Sequence, residues 1–133
     1  MKEKEVLPMQ ITWFDEKTKT GLATFYKTNL TLNAVAAIPF EHAYVVRIGL
    51  NDDKNVVIRP LTKNEADSDT SGGEGIYKIA CKKSYARISS TGLMSQIGAA
   101  LGLELSDKPT QFESEFLEKE NLLVIKTGKE SKQ

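Results

Sequence analysis

Apolar residues recur along this chain in two rhythms. In "AYVVRIGL", Tyr44, Val46, Ile48 and Leu50 share one face while Arg47 points to the other, the period-two rhythm of a half-buried strand. "NVVIRPL" repeats it after the turn residues "NDDK", which predicts a hairpin. "LPMQITWF" and "GLATFYKT", separated by "DEKTKT" and Gly21, predict an earlier hairpin. "TQFESEFL" and "NLLVIKT", joined by "EKE", predict a later one in which Phe112, Ser114 and Phe116 oppose Glu113 and Glu115. Between these, "NLTL" reads as a short strand. In "IYKIACKK", Ile76, Lys78 and Ala80 alternate with Tyr77, Ile79 and Cys81, and "SYARIS" continues that strand or starts another.

The second rhythm is helical. In "ISSTGLMSQIGAALGL", Leu93, Ile97, Ala100 and Leu101 fall on one helix face, Ser90 or Thr91 can cap the start, and Gly102 ends it. "NAVAAIPFEHA" predicts a shorter helix or two turns, with Asn33 as N-cap and Pro39 preventing continuation. Residues 63–75, "KNEADSDTSGGEG", hold no apolar side chain larger than Ala and are expected to be a flexible linker.

Taken in order, the elements run strand, helix, hairpin, linker, strand, helix, hairpin. The expected organisation is an N-terminal hairpin extension at 1–28, a first half at 29–62, the linker at 63–75, a second half at 76–127 and a frayed tail at 128–133. The fold class is α+β: a β-rich barrel of antiparallel hairpins with two short helices. The halves read either as a duplicated unit or as two common hairpins reached independently.

Composition narrows the chemistry. The 133 residues carry 18 Lys plus Arg against 18 Asp plus Glu, so no global field draws the protein to nucleic acid or anionic lipid, and such binding needs a local patch. Cys81 is alone and cannot form an internal disulfide, and "MKEKEVLPMQ" has no apolar signal region, from which a cytoplasmic location is expected. No apolar run approaches the ~20 residues of a membrane span.

"ISSTGLMSQIGAALGLELSDKPTQFESEFLEKENLLVIK" resembles the swapped-hairpin domain of the AbrB and MazE group: a short strand and Gly turn (Gly92), a helix ending in Leu101-Gly102-Leu103, a loop at Ser106-Asp107-Lys108 and a terminal hairpin. The resemblance is best over 86–127 and weaker over 29–61, which lacks the Gly turn and the "LGL". It implies a barrel of two interlocked copies, usually a homodimer, and a role in transcriptional regulation or toxin neutralisation. With both copies in one chain, the barrel can form within it. Family DNA binders place basic residues around the turn and along the helix, and "STGLMSQIGAA" supplies none.

The cations sit on strands instead. Lys82, Lys83 and Arg87 form a candidate phosphate-contacting stripe, with Arg47 and Arg59 as candidates across the earlier hairpin; the alternative is a solvated outer face. Leu93, Met94, Ile97 and Leu101 are either core or a partner interface. Trp13, Phe14, Phe25 and Tyr26 can stack on bases or fill the core. Lone His42 has no ligand spacing for zinc. Cys81 has no histidine base near it, its thiol being either lowered in pKa by the lysines that follow or a buried structural group. "SGGEG" lacks the surroundings of a phosphate loop. The expectation is a non-enzymatic protein with no cofactor or metal, a DNA-binding regulator of the AbrB-like kind; the alternative is a protein-interaction or scaffold module using the barrel and the uncharged helix 90–101.

Overall fold

The computed structural model describes residues 20–68, 73–105 and 108–128. The strand expected at 7–14 with Trp13 and Phe14, residues 69–72 of the expected linker, Ser106, Asp107 and the tail from 129 lie outside this range.

Nine strands form one antiparallel sheet: β1 (Gly21–Phe25), β2 (Asn29–Asn33), β3 (Val45–Leu50), β4 (Val56–Leu61), β5 (Ile76–Tyr77), β6 (Ala80–Cys81), β7 (Tyr85–Ser89), β8 (Thr110–Leu117) and β9 (Leu122–Ile125). Their order across the sheet is β5-β3-β4-β9-β8-β1-β2-β7-β6. Among the described residues three short helices accompany it: α1 (Ala34–Ala37), α2 (Lys63–Asp67) and α3 (Thr91–Leu101). A 3-10 turn, Ile38–Phe40, follows α1 where Pro39 stops the α-helical ladder.

Strand alternation decides which face is inside. Ala23, Phe25, Leu30, Leu32, Val46, Ile58, Ala86, Ile88 and Ile125 are fully buried, whereas their chain neighbours Thr24, Thr31, Arg47, Arg59, Arg87 and Val124 face outward. Phe25 and Phe112 meet inside, ring centroids 5.2 Å apart and tilted by 53°, a geometry worth ~0.5–1.5 kcal/mol beyond burial. Leu93, Met94 and Ile97 of α3, with Phe40 and Ala36 from the first half, complete the same cluster. Both halves therefore share one core.

Two of the pairings between the halves join like elements. β2 runs antiparallel to β7, Thr31 opposite Arg87, and β4 runs antiparallel to β9, Val57 opposite Val124. β2 and β7 each precede a helix, and β4 and β9 each close a hairpin, so each contact joins an element to its counterpart. That is the self-complementary form an isologous interface takes.

The sheet is a strongly curled half-barrel, and this corrects the expected closed barrel. Its two end strands, β5 and β6, are successive pieces of one segment interrupted at Lys78 and Ile79, and among the described residues no ladder joins them. The break has a cause. β5 pairs with β3 (Tyr77 opposite Val46) and β6 with β7 (Ala80 opposite Arg87), so the segment changes partner midway and cannot stay in register with both. The α+β description is likewise too even-handed for a sheet carrying three short helices.

Three local expectations change. β1 lies within the sheet between β8 and β2 and is not part of an outer extension, because Ala23 and Phe25 belong to the core. In β3 only Val46 and Ile48 are buried; Tyr44 and Leu50, at the strand's ends, are exposed. The expected linker begins with α2, held by a reciprocal cap: Thr62 Oγ1 accepts from Glu65 N at 3.1 Å and Glu65 Oε1 accepts from Thr62 N at 2.8 Å. Lys63 pairs with Asp67 one turn on, at 3.0 Å.

Candidate functional site

The cations expected to matter fall on the outer face, where strand register fixes their spacing. Arg47 and Arg59 stand directly opposite one another on β3 and β4, and Arg59 Nη2 donates to the Glu120 carbonyl at 3.2 Å. Placing two like charges across a ladder is mildly destabilising, so this juxtaposition is not explained by sheet stability. Arg87 lies on β7 opposite Thr31 and Ala80, its guanidinium 5.2 Å from the centre of the Tyr85 ring, a cation–π contact. Lys82 and Lys83 are exposed in the turn from β6 to β7, closed by Lys82 N donating to the Tyr85 carbonyl at 2.7 Å.

The segment Ile76–Cys81 joins the two groups. Arg47 is the register partner of Ile76, Arg87 that of Ala80, and exposed Lys78 lies between. Arg59, Arg47, Lys78, Arg87, Lys82 and Lys83 thus follow one path across β4, β3, the interrupted segment and β7. The sequence showed two separate groups; a partner switch within one segment makes them neighbours, and that pairing is not written in local periodicity. On the same sheet the outer face of β8 carries exposed Glu113 and Glu115, with Lys126 3.9 Å from Glu115.

Beside this band the outer face of β8, β1, β2 and β7 forms a shallow, open groove of about 480 Å³. Its floor is a cross-strand row, Gln111, Thr24, Thr31 and Arg87, each opposite the next. Gln111 Nε2 donates to Thr24 Oγ1 at 3.3 Å and Thr31 Oγ1 donates to Asn29 Oδ1 at 3.0 Å. Tyr26 and Tyr85 line opposite ends. Of the aromatics weighed as stacking groups, Phe25 is buried core, Tyr26 is 39% exposed, and Trp13 and Phe14 lie outside the described residues. Sequence reasoning missed the groove, although its signal was present: outward positions of β1, β2 and β7 are filled by Thr, Asn, Tyr and Arg.

Helix α3 is differently used. Ser90 caps it, its Oγ accepting from Leu93 N at 3.1 Å, and Gly102 closes it at φ 70°, a left-handed position that favours glycine. Leu93, Met94 and Ile97 are buried in the core, and Leu101 packs half-buried against it. Outward, α3 presents Ser95, Gln96, Ala99 and Ala100, alongside a shallow cleft of about 570 Å³.

Cys81 is exposed as a residue, and its Sγ donates to the Phe40 carbonyl at 3.1 Å. Partial burial, then the Glu41 carboxylate nearby, push this thiol above its ordinary pKa, the reverse of activation by neighbouring lysines. His42 is exposed, and among the described residues no cluster of three His, Cys, Asp or Glu could hold a metal ion. No described helix is long and apolar enough to cross a membrane. No family model matches this sequence, and no match was found among curated proteins or solved structures.

Proposed function

We propose that this chain is a non-enzymatic DNA-binding module of the regulator type, built from two copies of a swapped-hairpin-like unit, and that it holds phosphates along the band from Arg59 to Lys83. The observation that carries the reading is the convergence on one outer path of six cations from β4, β3, the Ile76–Cys81 segment, β7 and its turn. A chain with no net charge gains an electrostatic footprint only through such local grouping. Glu113 and Glu115 on the far side oppose phosphate and so orient the approach. The duplication rests on the antiparallel contacts of β2 with β7 and β4 with β9, which supply inside one chain what a second subunit supplies in a dimer. A monomer then suffices. The partner-module alternative loses its main surface, since the apolar side of α3 is spent on the core.

The test is fluorescence anisotropy of mixed-sequence duplex DNA across a salt series, with Lys82, Lys83 and Arg87 changed together to Ala. Binding should weaken steeply with salt, and the triple change should flatten the logarithmic salt slope by roughly one per contact removed. Absence of binding at low salt would overturn the reading and return the module to a protein partner.

A further inference from the structure

We infer that the groove beside the basic band takes unpaired bases, so that single-stranded DNA is bound more tightly than duplex; this rests on the phosphate-contacting reading above and concerns what the same surface does with bases. Three features of the groove point there. It is a shallow depression on a sheet, whereas reading a duplex groove needs a protruding helix or ribbon, and α3 offers no charge for that task. Apart from Arg87 at one end of its floor, its lining is uncharged and rich in paired donors and acceptors, Thr24, Thr31, Asn29 and Gln111, which suit base edges better than phosphates. Its ends carry flat side chains. Tyr26 stands at the β1–β2 turn, its N–H donating to the Asn29 carbonyl at 2.8 Å, and Tyr85 on β7 stands opposite Asn33 on β2, with the Arg87 guanidinium over its ring.

Strand rise and spacing place the two tyrosine Cα atoms about 16 Å apart on the diagonal of the groove, room for a short stretch of splayed nucleotides. A base entering at the β7 end meets the guanidinium plane of Arg87 backed by Tyr85, and one entering at the other end meets the Tyr26 ring. In a paired duplex the bases are already stacked on each other and cannot reach either. The backbone of such a strand leaves the groove towards Lys82 and Lys83, away from Glu113.

Anisotropy with a labelled oligothymidine strand and a blunt duplex of matched length, each across a salt series, tests this. The strand should bind at least ~10-fold more tightly, and Tyr26→Ser and Tyr85→Ser should each weaken it ~5-fold or more while moving duplex affinity by less than about twofold. Tyr85→Phe should restore what Tyr85→Ser loses. Arg87→Lys keeps the charge and loses the plane, so it should cost the strand more than the duplex, and it serves if a serine variant fails to fold. Equal affinity for strand and duplex, or equal losses on both, overturns base stacking and leaves the phosphate contact standing. Failure of both ligands to bind at low salt removes the phosphate reading as well.

Discussion

The two halves follow the same path with different material. Each runs from a strand through a side-chain N-cap into a helix and then a hairpin, with Asn33 accepting from Ala36 N and Ser90 accepting from Leu93 N at matching places. Each hairpin turn ends on a residue held at positive φ, Lys54 at 67° and Asn121 at 54°. Yet α1 has four residues and contributes one buried side chain, Ala36, whereas α3 has eleven and contributes Leu93, Met94 and Ile97. The missing volume in the first half comes from Phe40 in the 3-10 turn, fully buried. Outside, one hairpin presents Arg47 and Arg59 where the other presents Glu113 and Glu115. The path is thus held by caps, turns and alternation, while helix length and surface charge are free to diverge.

The sharpest way to break this comparison is to remove the substitute. Phe40→Ala should cost ~3–5 kcal/mol in urea unfolding, as large as truncating Met94, because either change leaves a cavity in the shared core. A loss below about 1 kcal/mol would mean the first half does not depend on its 3-10 turn. Next comes the tie between halves. Thr127, buried after β9, accepts from Val56 N at 3.1 Å and donates to the Lys54 carbonyl at 2.7 Å. Thr127→Val should therefore destabilise by ~1–3 kcal/mol, read from the same unfolding curves.

The caps should prove unequal. Ser90→Ala removes one capping bond and should cost ~1 kcal/mol. Asn33→Ala should cost more, since Asn33 also accepts from Leu22 N at 3.0 Å and donates to the Thr20 carbonyl at 3.0 Å, fastening β1 to the helix start. Equal losses would show that this extra fastening carries no free energy. The smallest effect distinguishes the turns. Lys54→Gly should raise the melting temperature, worth up to ~1 kcal/mol, whereas Asn121→Gly should change it little, because Asn tolerates the left-handed region and Lys does not.

Much of this framework was legible. The alternation of Val46 and Ile48 against Arg47, of Phe112 against Glu113 and Glu115, and the caps at Asn33, Ser90 and Gly102 all appear where periodicity and cap chemistry put them. The α2 helix departs from the expected linker because the Thr62-x-x-Glu65 capping box outweighs a loop-like composition. The fate of Gly21–Phe25 could not be read, since pairing with β8 joins residues far apart in sequence, and no local pattern records a distant partner. The same holds for the candidate site. Its residues were visible one by one, but the route connecting Arg47 to Arg87 exists only through the segment that pairs with both strands.

The contacts between counterpart strands also govern how the protein comes into being. β2 waits for β7, and β4 waits for β9, each partner lying half a chain away. During synthesis the first half leaves the ribosome with both of those strand edges unpaired, and its buried residues have no second half to close over them. Loop closure must precede any reward from these pairings, which makes for slow, late, all-at-once folding in place of stepwise growth. For a chain whose early strands pair with strands made much later, the vulnerable moment is the interval between making the first half and finishing the second.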